Sequence, residues 1–344
     1  MAGVLDIRRR IRSVRNTRQI TRAMKMVSAA KLRRAQDRAM AARPYAQMLT
    51  NVLKSLVSRA EIYDAETGAP KHPLLERREE NNILLIVVTG DKGLAGAFNA
   101  NLLKAAMRFI GSKPGKNIDL IAFGRKGRDF LRRRFPVAEP LVERKGPIQL
   151  VGEYVGQLGK AGFENAHEIA QQVIDRYCDG QIDSVYLVFN EFKSVIAQRL
   201  VVETVLPIAR IGEHVIAQAE ELTTEQREQA AEAALKAGVS LEEPETREID
   251  ERAKQFGTAP VDYIYEQSPK DLFAAVLPKY IAIQIYHSML ESWAAFNAAQ
   301  MTAMDSATNN ASEMIDSLTL AMNRARQASI TKEIIEIVSG AAAL

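Results

Sequence analysis

The N-terminal stretch VLDIRRRIRSVRNTRQITRAMKMVSAAKLRRAQDRAMAAR, residues 4–43, decides the fold because it contains neither Gly nor Pro. Its apolar residues recur every three or four positions, as on one face of an α-helix. This apolar stripe passes through Val4, Ile7, Ile11, Val14, Thr17, Ile20, Met24 and Val27. A helix of this length spans about 60 Å, far more than an ordinary globular helix. We predict one long helix over residues 1–60, with a kink at Pro44.

The C-terminal part of the chain predicts a second long helix, over residues 268–344. Ser268 is a favourable N-cap, Pro269 suits the first helical turn, and Asp271 complements the helix dipole. Alternate steps of four and three residues then define a coiled-coil seam. The seam comprises Leu290, Ala294, Asn297, Met301, Met304, Thr308, Ala311, Ile315, Leu318, Met322 and Ala325. We expect the two long helices to pack against each other as an antiparallel pair.

The middle of the chain, residues 80–210, predicts an α/β domain. Runs typical of buried strands lie at 83–89, 118–124, 184–192 and 198–208, and helical segments lie at 99–109, 125–135 and 163–178. Buried strands that alternate with helices are typical of a parallel or mixed sheet covered by helices. The predicted fold class is therefore α/β, with a long antiparallel coiled coil of the N- and C-terminal helices and a central Rossmann-like domain.

Charge is unevenly distributed along the chain. Residues 1–45 hold thirteen Arg or Lys and two acids, whereas residues 213–257 hold twelve acids and five bases. Within the acidic segment, Thr223 and Gln226 can form a capping box and Gly238 can end a helix. We therefore expect residues 213–257 to be an acidic helical insertion whose later part is an exposed linker.

The basic N-terminal helix has three interpretations: a solvated face, a nucleic-acid-binding surface, or a surface that contacts acidic proteins. Charge alone permits nucleic-acid binding, but no interleaved aromatic residues and no nucleic-acid motif accompany the bases. A long partner helix favours an acidic protein surface. The Arg-rich start also fits a transit peptide, although it is not rich in Ser. Since no apolar run is long enough to span a bilayer, we expect membrane association only through a partner.

No sequence motif predicts a catalytic, cofactor or metal site. Gly90, Gly93 and Gly96 follow a strand and precede a helix, which is the setting of phosphate-binding loops. Their G-x-x-G-x-x-G spacing matches neither the dinucleotide fingerprint nor a Walker loop, so a tight turn is favoured and nucleotide binding is the alternative. The four histidines lack metal-ligand spacing. The single cysteine, Cys178, allows no intrachain disulfide, and we expect it to be a small buried residue.

Three segments of the sequence resemble one known family. They are DIRRRIRSVRNTRQITRAMKMVSAAKLRRAQ (6–36), GDKGLAGAFN (90–99) and NRARQASITKEIIEIVSGAAAL (323–344). These segments resemble the N-terminal signature, the central glycine loop and the C-terminal signature of the gamma subunit of F-type ATP synthases of the bacterial type. The resemblance covers nearly the whole chain except residues 213–257.

The resemblance implies a rotor that has no catalytic residue and no cofactor of its own. In this family the terminal helices lie inside a ring of three alpha and three beta subunits. The α/β domain lies against the epsilon subunit and the membrane ring of c subunits. Ion flow through the c-ring drives the catalytic beta subunits through their conformational cycle for ATP synthesis or hydrolysis. The implied location is peripheral, at the cytoplasmic face of the bacterial inner membrane, with no nucleic acid as partner.

The resemblance also implies contact residues. Those that match contacts to a loop of a beta subunit are Arg326, Gln327, Thr331 and Glu333. Met24 and Lys25 match the segment near the acidic lever of the beta subunits, so an acidic residue at position 25 should impair coupling more than folding. Charge alone adds Arg8, Arg9, Arg33 and Arg34 as candidates for a basic track, with simple solvation of the helix as the alternative.

The acidic segment, residues 213–257, departs from the family pattern because it is longer and more acidic. The regulatory insertion of the chloroplast form carries a cysteine pair, which Cys178 alone cannot supply. We expect this segment to be an exposed appendage that restrains ATP hydrolysis.

Overall fold

The computed structural model of the protein describes residues 4–57, 70–138, 144–159, 162–208, 211–212, 215–241 and 266–342. The helices are α1 (Val4–Val57), α2 (Phe98–Gly111), α3 (Arg125–Arg132), α4 (Phe163–Cys178), α5 (Thr224–Ala237) and α6 (Pro269–Ala342). The strands are β1 (Asn82–Val88), β2 (Asn117–Phe123), β3 (Ile148–Tyr154), β4 (Ser184–Phe192), β5 (Gln198–Leu206) and β6 (Val215–Glu221). A short 3₁₀ helix, Pro73–Leu75, precedes β1.

Two helices, α1 and α6, form the shaft of the molecule. At 1.5 Å per residue they extend about 80 Å and about 110 Å. Their side-chain pairs run in opposite directions along the chain, since Thr21 contacts Thr308 whereas Ser28 contacts Gln300. The predicted antiparallel pair is therefore confirmed. The helix α1 continues through Pro44 as one element.

The central sheet has the strand order β3-β2-β1-β4-β5-β6. The first four strands in this order are parallel, and β5 and β6 are added in antiparallel fashion. The order 3-2-1-4 and the helices that connect these strands are typical of a Rossmann-like domain, as predicted. The prediction missed β3 and β6. Three of the seven residues of β3 are buried and the strand contains Gly152, whereas β6 is a largely exposed edge strand, so neither has a continuous apolar run.

The sheet buries apolar side chains on both faces, and the shaft contributes to both cores. Alternate residues of β1 point to opposite faces. One core contains Leu84 and Ile86 together with α4, the end of α1 and the first part of α6. The other contains Ile83 and Leu85 together with α2, the middle of α1 and residues such as Phe296 of α6. The shaft is therefore anchored in the domain rather than attached at one point.

The first part of the acidic segment is integrated into this body. The edge strand β6 pairs with β5, and Arg108 of α2 forms an ion pair with Glu220 of β6. The predicted helix is confirmed as α5, with the Thr223–Gln226 capping box and Gly238 in the left-handed conformation at its end. The expectation of an exposed appendage is therefore wrong for this part, because its backbone completes the sheet. Residues 242–257 of the segment lie outside the described residues.

Candidate functional site

The shaft extends beyond the sheet domain, where the start of α1 packs against the later part of α6, and we call this part the upper shaft. It has a small apolar seam. Ile7 and Ile11 of α1 and Ile315 of α6 are buried against one another. Half-buried Val14, Leu318, Met322 and Ala325 pack around them. This agrees with the seam predicted at both ends of the chain, and it leaves the two helices in contact over a narrow face.

The middle of the shaft has polar pairs among its buried apolar residues, such as Met301 and Met304. The pairs are Thr21 Oγ1 to Thr308 Oγ1 at 2.7 Å, Lys25 Nζ to Asp305 Oδ1 at 2.9 Å, and Ser28 Oγ to Gln300 Oε1 at 3.0 Å. Each pair joins one helix to the other, and all six residues are buried or partly buried. Polar groups that are hydrogen-bonded in this way fix the register of two helices, because a shift would leave them buried without partners.

The predicted apolar stripe of α1 is wrong after Val14. The structure exposes Ile20 by 60% and Val27 by 54%, whereas Thr21, Lys25 and Ser28 face α6. The inward positions continue the heptad steps of Ile7, Ile11 and Val14 through polar residues. The prediction followed the apolar residues one position away, which turns the face of a helix by about 100°. If the heptad positions had been continued from Val14 regardless of polarity, the prediction would have placed Thr21, Lys25 and Ser28 on the inward face.

Lys25 is thus not exposed at the outer surface of the shaft. Its side chain is 11% exposed and that of Asp305 is 6% exposed. A second cation, Lys236 of α5, lies 3.5 Å from the other oxygen of Asp305. Met24, next to Lys25, is half-buried.

The four predicted track arginines differ in their surroundings. Arg8, Arg9 and Arg34 are exposed, and Arg9 reaches Asp6 at 3.9 Å, a distance and exposure that contribute little to stability. Arg33 donates hydrogen bonds to the carbonyl oxygens of Ala237 and Gly238 at the end of α5. All four arginines are therefore exposed, and Arg33 differs in being attached to the end of α5.

The end of α6 extends past the start of α1. We call residues 326–339 the tip, and every residue in it is exposed. The predicted contact residues of this region, Arg326, Gln327, Thr331 and Glu333, follow one another along less than two and a half turns of helix. The large apolar residues Ile330, Ile334, Ile335, Ile337 and Val338 share the tip with them.

The glycine loop after β1 is closed by α6. A side chain at Gly90 would lie 2.6 Å from Cε2 of Phe296, so the ring fills the space above the loop. Ser292 of the same helix donates to the carbonyl oxygen of Val88 at 3.4 Å. Rossmann-like domains bind dinucleotides at the carboxyl ends of such strands. Because α6 occupies this crevice, the structure favours the tight-turn interpretation of Gly90, Gly93 and Gly96.

Two further features of the described residues are a cavity beside the glycine loop and the thiol of Cys178. A cavity of about 480 Å³ lies between the glycine loop, β5, β6, α5 and α6, with a mixed lining of alanines, amides and paired charges. Cys178 is exposed, contrary to expectation, because it is the last residue of α4. Partial burial and the neighbouring Asp175 raise the pKa of its thiol, which makes it less reactive.

Metal ligands and membrane spans were sought over the described residues. Within these ranges, no group of three or more His, Cys, Asp or Glu side chains is placed to hold a metal ion. No helix in the described part of the chain combines the length and the apolar character required to cross a bilayer.

Comparison with known proteins gives matches over the whole chain. A family model described as ATP synthase matches residues 4–344. The ATP synthase gamma chain of Solibacter usitatus (strain Ellin6076) is 48% identical over 343 residues, which cover 100% of this chain and 99% of that protein. The ATP synthase gamma chain of Trichlorobacter lovleyi is 42% identical over 344 residues, which cover 99% of this chain and 98% of that protein.

A solved structure supports the fold. A chain in the cryo-EM structure of Euglena gracilis mitochondrial ATP synthase (OSCP/F1/c-ring, rotational state 3) has a TM-score of 0.55 at 16% identity, covering 99% of this chain and 94% of that chain. The fold described above is thus shared with a protein of distant sequence. With the full-length matches to bacterial gamma chains, these findings show that the chain belongs to the ATP synthase gamma family.

Proposed function

We propose that this chain is the central rotor shaft of a bacterial F-type ATP synthase. It couples ion flow through the membrane c-ring to conformational cycling of the catalytic beta subunits, which make or hydrolyse ATP. The chain is a non-catalytic subunit. The observation that carries this proposal, beyond family membership, is the exposed tip of α6.

The tip is suited to a surrounding sleeve of protein. Ile330, Ile334, Ile335, Ile337 and Val338 are each about half exposed or more. Clustered apolar surface of this kind is typical of a site that contacts another protein. At 100° per residue these five residues cover an arc of about 160°, so they form one broad apolar face on the tip that a surrounding protein could cover. We infer that Arg326, Gln327, Thr331 and Glu333 provide its polar contacts with a beta-subunit loop.

The proposed partners follow the length of the molecule. Three alpha and three beta subunits surround the upper shaft and the tip. The epsilon subunit and the c-ring contact the sheet domain at the opposite end. The chain then lies at the cytoplasmic face of the bacterial inner membrane as a peripheral subunit, held there by the complex.

The outer surface of the shaft suits rotation past several neighbours. Deep aromatic anchors would act as hot spots and hold one orientation. The surface instead presents Met24, the exposed Ile20 and Val27, and long basic side chains such as Arg8 and Arg34. Since an exposed ion pair contributes about 1 kcal/mol or less, such bases can exchange acidic partners without trapping the rotor.

The test is purification of the chain with its partners from the source cell. An affinity tag inserted after Gly115, in an exposed turn between α2 and β2, leaves both ends of the shaft unmodified. We expect three alpha and three beta subunits for each tagged chain, together with epsilon and the c subunits when mild detergent is used. The untagged strain is the control. A tagged chain that purifies without alpha and beta subunits would contradict the proposal.

A further inference from the structure

The helix α5 lies on the shaft where charged groups from three helices meet. We propose that α5 is a clasp, in which Lys236 shares the carboxylate of Asp305 with Lys25. Docking of α5 then restrains α1 and α6 relative to each other at this level, and its release frees them. The clasp itself is a property of this chain, and only its consequence for rotation rests on the proposed function.

Asp305 is the centre of the clasp because its carboxylate is buried and each oxygen faces one cation. Lys25 of α1 lies 2.9 Å from Oδ1, and Lys236 of α5 lies 3.5 Å from Oδ2. A buried carboxylate is costly unless it is paired, so Asp305 binds both neighbouring helices to α6. Glu232 and Asp305 raise the pKa of Lys236, which keeps this side chain charged.

A second attachment joins α5 directly to α1. Arg33 donates to the carbonyl oxygens of Ala237 and Gly238, at the C-terminal end of α5. These carbonyls have no partner within the helix, and a cation there also complements the helix dipole. The clasp thus contacts α1 through Arg33 and α6 through Asp305.

The apolar contact of α5 is small, so the polar contacts decide whether it docks. Its buried face consists of Ala230, Ala233, Ala234 and Ala237. Each alanine buries a single methyl group, and apolar stabilisation is proportional to the area removed from water. The helix is preceded by β6, which is held in the sheet by its own ladder to β5. Release of α5 therefore requires no unfolding of the sheet.

Amide hydrogen exchange of the full-length chain tests the clasp. The substitution Lys236→Met removes the charge but keeps the length of the side chain. We expect exchange in α5 to become up to about fivefold faster, because a partly exposed ion pair contributes about 1 kcal/mol or less. Exchange in residues 18–35 of α1 should also increase. One control is Arg227→Met, which removes an α5 base that pairs with Glu221 instead of the shaft, and a second is Glu232→Gln, which removes the 2.6 Å pair of Lys236 within α5 but leaves Lys236 beside Asp305.

A variant in which two charges are exchanged distinguishes the contact of Lys236 with Asp305 from the pair that Lys25 forms with Asp305. In the double variant Lys25→Asp/Asp305→Lys, the pair between α1 and α6 is restored in reverse, but Lys236 now faces a lysine. We expect α5 to exchange faster in this variant, and the further change Lys236→Glu to restore its protection. The clasp is wrong if Lys236→Met behaves like Arg227→Met, or if the double variant protects α5 as well as the original sequence does. Neither outcome depends on assembly with other subunits, so the clasp and the proposed function can fail separately.

Discussion

At the scale of residues, Lys25 directs its charge into the chain rather than toward a neighbouring subunit. The sequence suggested that an acidic residue here would impair coupling more than folding. In the structure, Lys25→Asp would place a second carboxylate beside the buried Asp305, which costs folding energy directly. The residues beside it, half-buried Met24 and exposed Val27, are the ones available to a neighbour at this level of the shaft. The role of Met24 in coupling stays a prediction.

From the surroundings of His72 we predict that the protein loses stability in mildly acidic conditions. Its Nδ1 accepts the backbone N–H of Leu74, and its ring packs edge-on against Phe273. Burial lowers the pKa of His72 below its ordinary value. The unfolded chain then binds a proton more readily than the folded chain. The stability that neutral His72 contributes is therefore present above its unfolded pKa and is lost as the pH falls below that value.

Urea unfolding at several pH values checks this prediction. Between about pH 7 and about pH 5 the free energy of unfolding should decrease, and His72→Asn should reduce that decrease while keeping a cap for the short helix that follows. His167→Asn, at an exposed histidine, is the control. The assignment to His72 fails if both variants retain the full pH dependence.

At the scale of elements, the sequence predicted the helices and strands with strong periodicity and missed those without it. The runs of β1, β2, β4 and β5 are apolar enough to identify them, whereas edge strand β6 alternates weakly. In α1 the apolar stripe predicted the helix correctly but its inward face only as far as Val14. Beyond Val14 the inward positions of α1 are taken by polar side chains that pair with α6, and a hydrophobic pattern carries no information about which polar side chains meet. The pairing of Lys25 with Asp305 depends on register across the shaft, which only the folded structure supplies.

The tip of α6 should contribute to assembly but not to folding of the chain. Residues 326–339 are exposed throughout. Truncation after Ala325 should therefore change the free energy of unfolding by no more than about 0.5 kcal/mol in urea. The same truncation should lower ATP-driven ion pumping by the assembled complex, because the proposed contacts with the beta subunits are removed.

A substitution within the packed seam gives the opposite result and serves as the control. Ile315 is buried between Ile7 and Ile11, so Ile315→Ala should destabilise the upper shaft by about 2–5 kcal/mol. If truncation of the tip destabilised the isolated chain as much as Ile315→Ala does, the tip would have a role in folding that the structure does not provide.

At the scale of the whole molecule, the upper shaft is packed much less densely than the body, by which we mean the sheet domain together with the parts of α1 and α6 in its two cores. The body has two cores that include parts of both long helices, whereas the upper shaft has three buried isoleucines. In the assembled rotor the surrounding subunits would supply the missing contacts, and the body would transmit torque. In the isolated chain this difference predicts that the upper shaft unfolds before the body, so that unfolding is not a single two-state transition.

The single tryptophan allows the two parts to be observed separately. Trp293 lies in α6 where it packs against Gly159 of the body and stacks on Phe296, so its fluorescence reports the junction of shaft and body. Far-ultraviolet circular dichroism reports helix content, much of which lies in the upper shaft. We expect the dichroism signal to decrease at a lower urea concentration than the fluorescence signal changes. Ile11→Ala should shift only the early phase.

Phe296→Ala provides the complementary variant, because it removes a buried ring from the core of the body and should cost about 3–5 kcal/mol. It should shift the fluorescence transition toward lower urea while the early dichroism phase stays in place. Coincident transitions in the original chain, moved equally by Ile11→Ala and Phe296→Ala, would mean that the polar pairs at Thr21, Lys25 and Ser28 make shaft and body one cooperative unit. The upper shaft would then be rigid before its partners bind, and the division into a stable body and a partner-dependent shaft would be wrong.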